Sequence, residues 1–123
     1  MEIRTAEPGE ESKVVELINE LIVELGGAPL PVNEATITAR SFIDGDRDGM
    51  VIVATNQDAL VGVCTLTYQP SIRTLGKYGI IQEMYVSPEF RSSKLGARLI
   101  DKAKDIASDA GCTMVELSTP PNG

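Results

Sequence analysis

Three consecutive strand-like segments in the middle of the chain constrain its fold more than any other feature. Met50–Ala54 is apolar on both faces, Leu60–Tyr68 is rich in Val, Thr and Leu, and Tyr78–Val86 follows after a loop at Gln69–Lys77. The first two segments are separated only by the turn sequence Asn56-Gln57-Asp58. Because short connections join antiparallel neighbours, we predict hairpins, with the doubly apolar segment in the middle of a sheet.

Helices on either side of these strands complete an α/β pattern. The remaining predicted elements are two short strands and three amphipathic helices: Ile3–Ala6, Glu10–Leu25, Asn33–Ile43 with Asn33 as its cap, Leu95–Ala110 and Cys112–Leu117. The predicted order is β-α-α-β-β-β-α-β, in one domain over residues 1–123. The sheet is expected to be mixed and mostly antiparallel, with a parallel, right-handed last strand–helix–strand unit.

The third segment is predicted to present two different faces. Strand side chains alternate, so one face is expected to carry one set of residues: Ile80, Gln82, Met84 and Val86. The other face is then expected to carry the intervening residues: Ile81, Glu83 and Tyr85.

Composition excludes several classes of function. Eleven basic against eighteen acidic residues give a net charge of −7, which disfavours binding to nucleic acid or an anionic membrane. The chain has no His, so a His-based nucleophile, base or metal ligand is excluded. Cys64 and Cys112 lack the spacing of a zinc site and are interpreted as buried apolar residues; no metal is predicted. Met1 to Glu20 holds no apolar run of a signal peptide, so a cytoplasmic location is expected.

The segment from Val86 to Leu99 contains the residues most suited to chemistry. A strand ends near Pro88, a polar loop follows, and a helix begins whose first N–H groups lack partners and favour an anion. Gly96 allows close approach to the backbone, and Ser92 and Ser93 can cap the helix or donate to phosphate oxygens. Five basic residues lie in or just after it: Arg91, Lys94, Arg98, Lys102 and Lys104. These basic residues either attract an anionic ligand or form a solvated helix face. The sequence lacks both known phosphate-loop fingerprints. A different phosphate-binding α/β protein therefore stays open as an alternative.

The sequence YVSPEFRSSKLGARLI resembles the coenzyme A-binding motif of the GNAT N-acetyltransferase superfamily, V-x-P-x-x-(Q/R)-x-x-G-x-(G/A). Val86, Pro88, Arg91 and Gly96 match that motif, whereas Lys94 stands where its first Gly is expected. The segments IRTAEPGE and GCTMVELST are similar to the family's first strand and to the strand after the motif.

The resemblance implies a transferase that moves an acetyl group from acetyl-CoA to a primary amine of a small molecule or peptide. It implies that the backbone of Met84 and Val86 pairs with the pantetheine arm, and that the Met84 N–H polarises the thioester carbonyl. It also implies that amides of residues 91–97 hold the pyrophosphate, with Asn122 near the pantetheine arm. The cofactor-binding residues are thus expected to be Met84, Tyr85, Val86, Arg91, Ser92, Ser93, Lys94, Leu95, Gly96, Ala97 and Asn122.

Glu83 is the candidate catalytic residue. It precedes the expected carbonyl-binding amide and could accept the amine proton directly or through water. The alternative is that Glu83 binds a cationic substrate or pairs with an Arg without taking a proton. Tyr85 either lines the acceptor site or packs in the core.

The family usually continues with another helix and two strands that carry a thiolate-protonating Tyr, and this sequence holds no such segment after its motif. Three explanations stay open: a fragment of a longer protein, a sheet completed by a second copy in a homodimer, or a reduced form. The alternative function is accordingly a catalytically weak or inactive CoA-binding or interaction domain. The acidic composition favours a cationic acceptor such as a polyamine, an aminoglycoside or a lysine-bearing peptide.

Overall fold

A computed structural model describes residues 1–118 of the chain. It contains five strands: β1 Glu2–Thr5, β2 Gly49–Asn56, β3 Ala59–Ser71, β4 Gly76–Val86 and β5 Val115–Leu117. It also contains three α-helices and one 3₁₀ turn: α1 Glu11–Glu24, α2 Val32–Ile43, the turn at Pro88–Ser93 and α3 Leu95–Asp109. The predicted element order is therefore confirmed.

The five strands form one sheet in the order β1-β2-β3-β4-β5. Every neighbouring pair is antiparallel except β4 and β5, which are parallel and joined through α3. This arrangement confirms the predicted hairpins and the parallel last unit. No helix in the described range is both long and apolar enough to cross a bilayer.

The sheet separates two cores, and β2 contributes to both of them. Ile52 points into the core beneath α3, whereas Val51 and Val53 point into the core beneath α1 and α2. This double burial confirms the prediction that β2 is a central strand. Cys64 and Cys112 are both buried and free, as the sequence predicted.

The β3–β4 hairpin is longer than the sequence indicated. The expected loop at Gln69–Lys77 is largely paired, and Pro70 lies opposite Lys77 within the ladder. Pro70 is tolerated because the missing N–H would point toward β2, whose pairing with β3 ends at Thr67.

The expected cap of α2 is also wrong. The helix begins at Val32, after Pro31, and no side chain caps it. Asn33 therefore lies inside the first turn, where Pro31 has already set the direction of the chain.

Candidate functional site

A β-bulge interrupts β4 and decides which side chains face each core. Met84 lies opposite Cys64, but Ile81 lies opposite Leu66, so two β4 residues occupy the space of one β3 residue. Ile81 therefore shares the α3 core with Met84 and Val86. The regular alternation expected from sequence, with Ile81 on the face of Glu83 and Tyr85, is wrong.

Thr65 holds the bulge in place. Its hydroxyl donates to Glu83 Oε2 at 2.5 Å and accepts from the Glu83 N–H at 3.0 Å. The bulged amide thus has a side-chain partner in place of a ladder partner, and the carboxylate has a fixed orientation. Burial, together with the nearby Glu83 charge, raises the pKa of Cys64 to about 12.

Beyond the bulge, one edge of β4 is open. The Ser87 N–H donates to the Val61 carbonyl on β3 at 2.8 Å. Because hydrogen-bonding positions alternate along an antiparallel pair, the N–H groups of Met84 and Val86 point to the opposite edge. On that edge β5 pairs with β4 only as far as Ile81, and no strand within residues 1–118 covers the part that follows.

The N-terminus of α3 lies beside this open edge. Lys94 precedes the helix in a left-handed conformation, with φ of +63°, and the first helical N–H bond runs from Arg98 to Lys94. The N–H groups of residues 95–97 have no acceptor in the described part of the chain. A Cβ on Gly96 would lie 3.6 Å from Met84 Cε, so these amides and the open edge border the same space.

The Arg91 side chain connects the 3₁₀ turn to β4 and α1 through hydrogen bonds. Its Nε donates to the Val86 carbonyl at 2.9 Å, and its Nη2 pairs with Glu24 of α1 at 2.7 Å. Its guanidinium carbon lies 5.3 Å from the centre of the Tyr85 ring. The Arg91 side chain therefore positions the turn, and it occupies one carbonyl of the open edge.

The other residues of the turn differ in part from the sequence expectation. Ser93 donates back to the Phe90 carbonyl at 2.5 Å and does not cap α3, and Ser92 does not cap it either. The N–H groups of residues 91–93 lie within the 3₁₀ turn, which uses them internally. The amides shown to lack an acceptor at the start of α3 are therefore those of residues 95–97. Asn122 lies outside the described residues.

Two cavities lie on the opposite face of the sheet, against α1 and α2. The smaller, of about 280 Å³, reaches Glu83 and Thr65 between the two helices and the sheet. The larger, of about 650 Å³, is bounded by α1, Val32 and Tyr85. Tyr85 is only 6% exposed, and burial, with Glu20 and Glu24 next in effect, raises its pKa.

Sequence reasoning missed the bulge, its Thr65 partner and the Glu24 partner of Arg91. The adjacent polar residues Gln82 and Glu83, inside an otherwise apolar strand, are a signal that could have indicated the bulge. The two partners lie 18 and 67 residues away along the chain, so only the folded register reveals them.

These features together define a mixed α/β protein with a bulged strand, β4, that opens toward a helix N-terminus. A model of the acetyltransferase (GNAT) family matches residues 16–122. The chain belongs to this family.

Individual relatives agree with this assignment. An uncharacterized N-acetyltransferase of Archaeoglobus fulgidus is 35% identical over 76 residues, which cover 62% of this chain and 52% of that protein. An aminoalkylphosphonate N-acetyltransferase of Salmonella typhimurium is 34% identical over 67 residues, 54% of this chain and 44% of that protein. The chain thus spans about half the length of the curated relatives it matches. The crystal structure of an integron cassette protein from a salt-marsh metagenome has a TM-score of 0.88 at 26% identity, covering 95% of this chain and 76% of that one.

Proposed function

We propose that this chain binds acetyl-CoA between β4 and α3 and transfers its acetyl group to a primary amine. The observation that carries the proposal is the meeting of two unpartnered backbone surfaces at Gly96 and Met84. One is the start of α3, which suits a phosphate, and the other is the open edge of β4, which suits an extended chain. Membership of the acetyltransferase family supports the same assignment.

The chain's residues fit the two ends of this ligand. The amides of residues 95–97 would hold the pyrophosphate, with the positive charges of Lys94 and Arg98 close by in sequence. The outward N–H groups of Met84 and Val86 would pair with the amide-containing pantetheine arm. Since Arg91 already occupies the Val86 carbonyl, that arm would use the N–H of this residue and not its carbonyl.

Acetyl-CoA, when bound, supplies an acetyl group activated as a thioester. The Met84 N–H would donate to the thioester carbonyl and stabilise the negative charge that develops on its oxygen. A primary amine has a pKa of about 10.4 and must lose a proton before or during attack. Glu83 would receive that proton, directly or through water, while Thr65 keeps one of its carboxylate oxygens fixed. The C–S bond of the thioester would break as the new C–N bond forms, and CoA would leave as a thiolate that takes a proton from solvent.

The bulge gives these two groups access to opposite faces of the sheet. Glu83 borders the cavity beneath α1 and α2, whereas the next residue, Met84, packs toward α3. The amine would therefore enter from the α1–α2 face, and the cofactor would lie along the edge beside α3. The two substrates would meet at the bulge without competing for the same space.

Calorimetric titration with acetyl-CoA and with CoA, followed by an assay of thiol release with a panel of primary amines, tests the proposal. We expect saturable binding of both ligands and amine-dependent release of CoA. Binding without release for every amine would favour the CoA-binding domain that lacks activity. Stronger stabilisation by nucleotides than by CoA would favour a different phosphate-binding protein.

A further inference from the structure

The smaller cavity beneath α1 and α2 has an open end and a closed end. The lining residues at its open end are exposed: Leu30, Pro31, Glu34 and Thr38. The lining residues at its closed end are buried on α1 and the sheet: Val14, Val15, Val51 and Thr65. The cavity therefore leads from solvent beside α2 to the surface of the sheet.

Most of the lining of this cavity is apolar. The aliphatic and aromatic side chains come from both helices and from β2: Val14, Val15, Ile18, Ala39, Phe42 and Val51. The two hydroxyl groups of the lining are already bonded within the fold, since Thr38 donates to the Glu34 carbonyl and Thr65 donates to Glu83. The volume of about 280 Å³ is near the lower end of the roughly 300–1,000 Å³ typical of small-molecule sites. Such a lining and size favour a compact apolar group.

Small side chains on α2 keep this space open. Ala35 and Ala39 lie about one turn apart on the same face of the helix, and both line the cavity. A leucine at either position would occupy the space that their methyl groups leave. Because protein interiors are otherwise close-packed, an open space of this size beside a candidate catalytic residue indicates room for a ligand.

The Glu83 carboxylate borders the cavity from the sheet, and one of its oxygens is accessible. Thr65 donates to Oε2, whereas Oε1 accepts no hydrogen bond from residues 1–118. Every buried side-chain nitrogen or oxygen atom of the described residues has a partner, so Oε1 is not a buried atom. An amino group in the cavity would therefore meet Oε1, with apolar walls around the rest of the molecule.

We infer that the acceptor is a primary amine with a compact apolar substituent, which fills this cavity while its amino group reaches Oε1 of Glu83. This inference rests on the proposed acetyl transfer and specifies its substrate class. Burial of the substituent against the valines would contribute to binding in proportion to its apolar area. A substituent that carries a hydroxyl group would lose its hydration and find few partners in the cavity, so it is disfavoured.

Three amines test the inference: pentylamine, 4-aminobutan-1-ol and ethylamine. The first two have equal chain length and differ only in a terminal methyl or hydroxyl group, and ethylamine lacks the part that would fill the cavity. We expect kcat/KM for pentylamine to exceed that for each of the others at least about tenfold. Equal values, or a preference for the amino alcohol, would overturn the inference.

The acyl group of the donor is the other possible occupant of the cavity. With ethylamine as acceptor, we expect acetyl-CoA to be used at least as well as hexanoyl-CoA, because the cavity is assigned to the amine. A clear preference for hexanoyl-CoA would assign the cavity to the acyl chain and would refute the inference.

Ala35→Leu locates the preference, because it fills the cavity from α2. We expect the ratio of kcat/KM for pentylamine to that for ethylamine to fall about tenfold, and Ala35→Val tests the same position if the leucine variant does not fold. Asn33→Leu is the matched control, since it places the same side chain on α2 at an exposed position that lines neither cavity. An equal fall of the ratio in Ala35→Leu and Asn33→Leu would show a general disturbance of α2 and would contradict the assigned site.

Failure of acetyl transfer would be distinguishable from failure of this inference. If no amine is acetylated, the proposed function is wrong, and calorimetry of pentylamine and 4-aminobutan-1-ol with the chain decides the ligand class of the cavity. Saturable binding of pentylamine that Ala35→Leu weakens would support the inference. Equal or absent binding of the two amines would overturn it.

Discussion

Replacing Gly96 with Ala separates the stability of the fold from the binding of its cofactor. The new Cβ would lie 3.6 Å from Met84 Cε, an ordinary van der Waals contact, so the variant should fold without strain. Ala is favoured over Gly within a helix by up to about 1 kcal/mol. We expect the free energy of unfolding to rise by about 0.5–1 kcal/mol and the melting temperature by about 2–4 °C.

The same methyl group should weaken the binding of CoA. It would occupy the space between the α3 amides and the open edge of β4, where the pyrophosphate is proposed to lie. Losing one charge-assisted hydrogen bond costs about 1.5–3 kcal/mol, which raises the dissociation constant roughly ten- to hundredfold. Thermal unfolding without ligand and calorimetric titration with CoA measure the two effects separately.

Ser108→Ala is the matched control for this prediction. Ser108 is exposed in the last turn of α3, so its replacement should raise helix propensity while the α3 N-terminus stays as it is. We expect a small gain in stability and an unchanged affinity for CoA. If Gly96→Ala is also more stable but binds CoA as tightly as the wild type, the pyrophosphate does not approach these amides and the reasoning is refuted.

Three further variants test other parts of the structure. Lys94→Gly removes the strain of a left-handed backbone conformation and should raise the free energy of unfolding, measured in urea, by about 1 kcal/mol. The control Lys102→Gly lies inside α3 and should lower the free energy of unfolding by a similar amount. A loss of stability in both variants would argue against strain at Lys94. Glu83→Gln should lower kcat at least about tenfold with little change in KM, and equal losses in binding and turnover would mean that Glu83 only positions the substrate. Glu10→Gln should cost about 1 kcal/mol at neutral pH, because the hydrogen bond from Arg4 lowers the pKa of Glu10 below its usual 4.5. That stabilisation is complete above the unfolded pKa and is lost as the pH falls through the folded pKa. The two proteins should therefore converge in stability once the pH is below the folded pKa, and a difference that stays constant with pH would contradict the assignment.

The elements that sequence patterns predicted well are those whose side chains repeat with a clear period. Leu95, Leu99 and Ala103 follow the helical spacing of α3, and all three are fully buried. The motif at the start of α3 could be recognised for a similar reason. Pro88 marks the end of a strand, and Gly96 marks the start of a helix only eight residues later. Local chemistry therefore predicted the helix N-terminus at which the cofactor is proposed to bind.

The geometry of the candidate site could not be predicted from such sequence periodicity. Period-two alternation assigns Ile81 to the face of Glu83, and only the pairing of Thr65 with two β4 residues reverses that assignment. The ion pair of Arg91 with Glu24 depends on how α1 packs against the end of β4. Such long-range contacts follow from tertiary packing, which a single sequence does not display.

The bulge and the charge distribution lead to the same arrangement of substrates. One inserted residue turns Glu83 toward the cavity that it shares with Glu34, and leaves Met84 facing α3, which begins after Lys94 and carries Arg98. The proposed anionic cofactor would thereby be attracted to the α3 face of this strand and repelled from the carboxylates on the other face. A chain with net charge −7 can therefore bind a polyanion, since the sheet keeps the local charge at α3 apart from the carboxylates of α1. Raising the ionic strength should weaken the binding of CoA, and an affinity that is independent of salt would show that this separation of charge does not guide its binding.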